Sequence, residues 1–193
     1  EKLPSGYIAS DALIPAGQNE GRLTITSPAS APVGVLSPVI TGSAAIGKST
    51  VMRRAESAES LMQAFAYTHV LPTSQLFLAV IPGTGYTMSS NIPEGKVLEL
   101  RPESDTPILI KILRKEGIKA GVTITAVRLA NNTISTKGVF VAPEKDEAEI
   151  VLNVAKDAKV GLRQDVIVSG LMRANNQSIV RFARAIPMVV IAR

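Results

Sequence analysis

Apolar and polar residues alternate through several short stretches of this chain: "RLTIT" (Arg22–Thr26), "GVTIT" (Gly121–Thr125), "EIVLNV" (Glu149–Val154) and "DVIVSG" (Asp165–Gly170) alternate or run apolar over five or six positions. Successive side chains of a strand point to opposite faces, so this period of two predicts strands. "KVLEL" from Lys96 and "PILIKIL" from Pro107 read the same way. Turn-forming clusters at Pro15–Asn19, Pro28–Ser30, Asn131–Asn132, Pro143–Asp146 and Asn175–Asn176 punctuate them. Turn signals about 8 to 12 residues apart predict a β-sandwich. One segment departs from the pattern. In Arg54–Ala66, "RAESAESLMQAFA", residues Ala55, Ala58, Leu61, Met62 and Phe65 have helical spacing and Ser57 or Ser60 is available as an N-cap, so a short helix is predicted there.

The chain also repeats itself. "EGRLTITSPASAPVG" (Glu20–Gly34) aligns with "EAEIVLNVAKDAKVG" (Glu147–Gly161), matching Leu23 with Ile150, Ile25 with Leu152, Ala31 with Ala158 and Gly34 with Gly161. After a slip of one residue, Val39, Ile40, Gly42, Val51, Arg53 and Ala55 match Ile167, Val168, Gly170, Ile179, Arg181 and Ala183. Two copies of one β module are therefore expected. The first has no room for the two strands that precede Gly121 in the second, and so is expected to be incomplete at its N-terminal side.

"TGSAAIGKSTV" (Thr41–Val51) contains Gly42, Gly47, Lys48 and Ser49 in the order G-x-x-x-x-G-K-[ST] of a phosphate-binding loop. That reading needs a buried parallel strand before the loop and a helix after it. Pro38, in the preceding "VLSPVITG", cannot donate a ladder hydrogen bond and argues against a central strand. The repeat places Gly47, Lys48 and Ser49 over Asn175, Asn176 and Gln177. Gly-Lys and Asn-Asn share no phosphate chemistry, whereas Gly and Asn both tolerate the positive φ of a tight hairpin. A hairpin turning near Gly47-Lys48 explains both copies.

Composition narrows the function further. The 193 residues suffice for one large domain or two of about 100 residues. Only 4% are aromatic and Trp is absent, so the core is built from Val, Ile, Leu and Ala. The absence of Cys excludes disulfides, thiolate catalysis and Cys-based metal sites. No apolar run approaches the roughly 20 residues of a membrane-spanning helix, and membrane insertion is not expected. "EKLP" does not resemble a signal peptide, and a chain that starts at Glu1 rather than Met is expected to be a piece of something longer. The net charge is +5, but Lys and Arg are scattered, and few aromatics are available to stack on bases; no nucleic-acid partner is expected.

The remaining chemistry is sparse. His69 is the sole histidine, so any Ser-His-Asp arrangement depends on it, yet "AYTHVLP" reads as connecting chain. Glu144, Asp146, Glu147 and Glu149 could offer oxygen ligands to calcium, but they lack calcium-loop spacing and enclose Lys145, as a solvated hairpin would. Lys111, Arg114, Lys115 and Lys119 could attract an anionic polymer or simply form the polar end of a strand and its turn. Tyr7, Tyr67 and Tyr86 are the only rings of the Tyr/Trp type that stack on sugars. No catalytic, cofactor-binding or metal-ligating residue is assigned, and no cofactor.

The segment from Leu3 to Ala55, with its "IPAGQ" turn, alternating strand, "APVG", strand ending in "TG" and hairpin leading to "RRA", resembles a bacterial immunoglobulin-like repeat of long secreted or cell-surface proteins, often found near pre-peptidase C-terminal-type domains. Residues 92–185 resemble it more loosely, with Pro143-Glu144-Lys145 for Pro15-Ala16-Gly17 and Lys159 for Pro32. The resemblance implies a non-catalytic spacer or adhesion module, exported from the cell, without a cofactor. The expected architecture is all-β: tandem immunoglobulin-like β-sandwiches, a partial module over residues 1–70 and a complete one over residues 75–193, with one short helix in the connection. Expected partners are other domains of the parent protein and a protein or polysaccharide ligand, with a homodimer formed through the incomplete first module as a further outcome. An accessory carbohydrate-binding domain beside a hydrolase is the alternative, and a nucleotide-binding protein using Gly42–Ser49 a more distant one.

Overall fold

The computed structural model describes residues 3–10, 12–14, 19–28, 30–63, 67–83, 85–127, 129, 133–174 and 176–192. Every regular element among them is a strand, so the fold is all-β. The chain divides into two compact units, residues 1–8 with 27–82, and residues 9–26 with 83–193.

The N-terminal half is a series of small two-stranded sheets. β1 (Ile8–Ala9) pairs with β2 (Ile25–Thr26), β3 (Gly34–Leu36) with β8 (Leu78–Val80), β4 (Thr41–Ile46) with β5 (Ser49–Arg54), and β6 (Ala58–Gln63) with β7 (Tyr67–Pro72). β4 and β5 form a hairpin in which Ile46 faces Ser49 across a two-residue loop, Gly47-Lys48. Gly47 has φ 62°, the geometry that a type II′ turn reserves for glycine at its first central position. No described residue of 1–82 is buried; Val35 is 66% exposed and Met52 64%.

The helix expected over Arg54–Ala66 is not there. β5 runs to Arg54, and residues 58–63 form β6, which pairs antiparallel with β7 from Ala58↔Pro72 to Gln63↔Tyr67; residues 64–66 lie outside the described set. A helix of this length is marginal without a surface to receive its apolar stripe, and Leu61 and Met62 are solvent-exposed. The β-favouring "YTHV" that follows supplies backbone partners, and the ribbon forms instead. His69, expected in connecting chain, is accordingly a strand residue opposite Leu61.

The second unit holds the core. Besides β2, its strands are β9 (Tyr86–Ser90), β10 (Leu98–Leu100), β11 (Ser104–Arg114), β12 (Val122–Val127), β13 (Ile134–Ser135), β14 (Val139–Val141), β15 (Glu147–Val154), β16 (Arg163–Ala174), β17 (Gln177–Phe182) and β18 (Ile186–Val190). One sheet runs β10-β18-β16-β12-β14, with β17 also paired to β16; the other runs β13-β15-β11-β9. Alternate residues of these strands, including Ile108, Ile110, Ile124, Ile150, Leu152 and Val168, are fully buried in one apolar cluster, as expected of a sandwich whose two inner faces interdigitate. Ile150 and Leu152 point inward while Val151 is half-exposed, as their alternation predicts. Their first-copy counterparts do not follow. Leu23 and Ile25 are half-buried, no more than Thr24 between them, because β2 spans two residues and, among the described residues, pairs only with β1. Thr24 is nevertheless fixed: its N–H donates to Ser10 Oγ at 2.8 Å, and its Oγ1 accepts from the Ala185 N–H at 3.1 Å.

Positions aligned by the internal offsets make corresponding backbone hydrogen bonds. Ala31 N–H donates to Pro28 O at 3.0 Å, and Ala158 N–H to Ala155 O at 3.2 Å, both pairs offset by 127. Ala55 N–H donates to Ile40 O at 2.8 Å, and Ala183 N–H to Val168 O at 2.9 Å, both offset by 128. The closing pair Ile46↔Ser49 corresponds likewise to Ala174↔Gln177, where Asn176 takes φ 58°. β16 is one twelve-residue strand, whereas its counterpart is broken into β3 and β4 around Pro38, which stands where Val166 continues the ladder. β8 is the counterpart of β18: Leu36↔Leu78 and Val35↔Ala79 correspond to Gln164↔Met188 and Arg163↔Val189. The second copy links β17 to β18 through Ala183–Ala185; at the same point the first copy carries the β6–β7 hairpin.

Candidate functional site

Gly42–Ser49 lacks the architecture of a phosphate loop. Ser49 opens β5 rather than a helix, so no helix N-terminus faces the loop, and Lys48 projects from an exposed turn. Its two flanking strands are antiparallel neighbours, and no parallel strand precedes it.

The basic and acidic groups of the second unit are brought together, but as architecture. β11 pairs with β15 so that Lys111 faces Glu147 and Leu109 faces Glu149. Arg114, at the end of β11, has only 7% of its side chain exposed. Its Nε donates to Ala120 O at 3.0 Å, its Nη2 to Ala142 O at 3.0 Å, and its Nη1 to Lys145 O at 2.7 Å and Asp146 Oδ1 at 3.1 Å. A planar fork of donors suits this arrangement, since three carbonyls from two turns converge on one guanidinium. Lys115 Nζ donates to Gly83 O, and Lys119 is exposed. The four cations thus form no single patch, and Asp146 is committed to Arg114. Among the described residues no group of three His, Asp or Glu side chains is placed to hold a metal ion. Arg114 lies at the polar end of a strand beside its turn, one of the two readings its position allowed; its near-complete burial against three carbonyls had no signal in the sequence.

The tyrosines separate by environment. Tyr86 is buried beneath β17, with its hydroxyl directed at Ile179 O at 3.5 Å, and burial pushes its pKa up to about 12. Tyr7 is half-buried beside a cleft of about 260 Å³ that also involves Pro4, Pro28 and Pro32. Tyr67, on β7, is 70% exposed.

A cleft of about 840 Å³ opens at the roots of the two hairpins of the first unit, where Ile40, Arg54, Glu56, Ser57 and Thr73 meet. The roots are tied by Ala55 N–H to Ile40 O and by Thr73 N–H to Ser57 O at 2.7 Å, with the Ser57 and Thr73 hydroxyls 2.6 Å apart. The cleft therefore offers hydroxyls, one cation (Arg54) and two carboxylates (Glu56 and Glu59) around an open floor.

The outer edge of β4 completes the inventory. Ala55 N–H to Ile40 O sets the parity of the β4–β5 ladder, so residues 40, 42, 44 and 46 direct their backbone groups at β5, and Thr41, Ser43 and Ala45 direct theirs away from it. Among the described residues β4 has no second neighbour in its sheet. No protein-family model matches the chain, and no curated protein matches it significantly.

Proposed function

We propose that this chain is a non-catalytic structural or interaction module, built of tandem immunoglobulin-like β-sandwich repeats, that serves as a spacer or adhesive segment of a larger bacterial protein exported to the cell surface or beyond. The observation that carries the reading is the recurrence of one hairpin, with its backbone hydrogen bonds, at a fixed offset in both halves of the chain. Repetition of a unit whose distinctive residues are turn formers and core aliphatics is how modular stalks gain length. The fate of the charged residues agrees with it: Arg114 braces turns rather than facing a ligand. Its partners are neighbouring domains of the parent protein, and a protein or polysaccharide reached through loops and edges.

The 840 Å³ cleft, with its Ser57 and Thr73 hydroxyls, and the exposed Tyr67 ring favour a second reading, an accessory carbohydrate-binding domain. A glycan array separates the two. Binding that is lost in Tyr67→Ala or Ser57→Ala moves the assignment to the carbohydrate reading; no binding retains the spacer. Isothermal titration with ATP and magnesium tests the nucleotide reading, and saturable binding abolished by Lys48→Ala would refute the module assignment. Export is tested by protease treatment of intact source cells, which should release peptides of this chain.

A further inference from the structure

In the second repeat the edge that corresponds to the outer side of β4 is occupied by another strand. In the second, β12 pairs antiparallel with the part of β16 that corresponds to residues 39–44, in the register Val122↔Met172 through Ile124↔Gly170 to Val127↔Ile167. β9 then lies over the same face: a Cβ on Gly170 would stand 2.6 Å from Met88 Sδ and 2.7 Å from Tyr86 Oη. In the first repeat the counterpart Gly42 would place a Cβ with nothing within 4 Å, and among the described residues β4 has no neighbour beyond β5. On that face Ile46 is exposed and Val51 half-buried, while Met172, the counterpart of Ala44, is completely enclosed.

Edge strands of stable proteins are usually protected by a Lys, a Pro, a bulge or a covering loop. β4, "TGSAAI", carries no charge, no Pro and no bulge along six residues, and the three residues that turn their backbone outward are Thr41, Ser43 and Ala45, all small. An unprotected flat edge with small side chains is the surface to which extended peptides add as a strand.

We propose that the free edge of β4 is an acceptor for an extended segment of another polypeptide with the chemistry of β12: valine or isoleucine at alternate positions and threonine or another small residue between them. The segment pairs antiparallel with residues 39–44, in the register that carries Ile124 of β12 from Gly170 to Gly42 and Val122 from Met172 to Ala44. Its apolar side chains then lie on the same face as Ala44 and Val51, beside the open space over Gly42. The inference goes beyond the module assignment, because it specifies one edge, one register and one pattern.

The test uses the intact chain and a fluorescein-labelled peptide of residues 120–127, "AGVTITAV", followed by fluorescence anisotropy and by amide hydrogen exchange. The expected result is saturable one-site binding, slowed exchange at the outward amides of Thr41, Ser43 and Ala45, and no binding of a scrambled peptide that breaks the alternation. Ser43→Pro removes an outward N–H that β5 does not use, and should weaken binding by about tenfold or more. Exchange protection in the wild-type chain decides the matter alone if that variant misfolds. Failure to saturate, protection mapping elsewhere, equal affinity of the scrambled peptide or of a folded Ser43→Pro variant would each overturn the proposal. So would concentration-dependent dimerisation that protects the same amides without peptide, since the occupant would then be a second copy of the chain.

Discussion

Leu152→Ala and Ile25→Ala change positions that the internal sequence offset aligns and should have unequal costs. Leu152 has 0% exposure, sits on β15 opposite Thr106 of β11, and lies inward with Ile150 and Val154. β15 is held on both sides, by β11 and β13, so the sheet cannot close around the missing atoms. Truncating a fully buried leucine costs about 2 to 5 kcal/mol, with the upper part of that range where the site cannot collapse; about 3 to 4 kcal/mol is expected here. Ile25 loses a similar number of carbons from a half-buried site on a two-residue strand. At about 0.8 kcal/mol per buried methylene, scaled to partial burial, its cost is about 1 kcal/mol. Both residues belong to the same unit, so one transition reports on both. The assay is urea denaturation followed by far-UV circular dichroism, since the chain has no Trp. With m of about 1.5 to 2 kcal/mol/M, Leu152→Ala should lower the midpoint by about 2 M and Ile25→Ala by about 0.5 M, with m unchanged. A loss below about 1 kcal/mol for Leu152→Ala, or equal losses for the two variants, would refute the inward register of β15 and its contrast with β2.

Gly170→Ala should cost about 1 to 3 kcal/mol because its Cβ meets Met88 and Tyr86, whereas Gly42→Ala, with open space around it, should stay within about 0.5 kcal/mol; thermal denaturation of both variants checks the contrast. Arg114→Ala should lose about 2 to 4 kcal/mol by stranding the carbonyls of Ala120, Ala142 and Lys145, Arg114→Lys should not restore it, and Asp146→Ala should change little; urea midpoints of the three variants give the order. Tyr86 has its folded pKa raised to about 12 from a reference of 10.0, so the unfolded chain releases that proton first; its contribution to stability is complete below pH 10 and falls away as pH rises from 10 to 12. Ultraviolet titration should show a phenolate step near pH 12 that is missing in Tyr86→Phe, and the loss of melting temperature over that interval should shrink in the same variant.

The alternation of "GVTIT", "EIVLNV", "DVIVSG" and "PILIKIL" determined by itself that these segments are strands and, for Ile150 and Leu152, which residues face the core, because side-chain direction in a strand is a local property of period two. The internal offset determined the Gly47-Lys48 hairpin, since a tight turn depends on two or three residues that tolerate a positive φ. Whether a strand is covered is not local. "RLTIT" has the same alternation as "GVTIT", yet β12 lies between β14 and β16 while β2 is a two-residue strand that, among the described residues, pairs only with β1. Residues 54–66 have helical spacing, but the spacing does not reveal which partner the segment meets, and pairing of residues 58–63 with β7 decided the outcome. Arg114 reads as a surface cation until the turns at Ala120 and Ala142–Asp146 fold around it. Pro38 reads as a strand breaker in either case, and only the paired strands show that it splits β3 from β4 where Val166 lets β16 run on. Tertiary structure alone assigned β8 to the place of β18, because register between strands more than forty residues apart is set by which backbones meet and not by the residues between them.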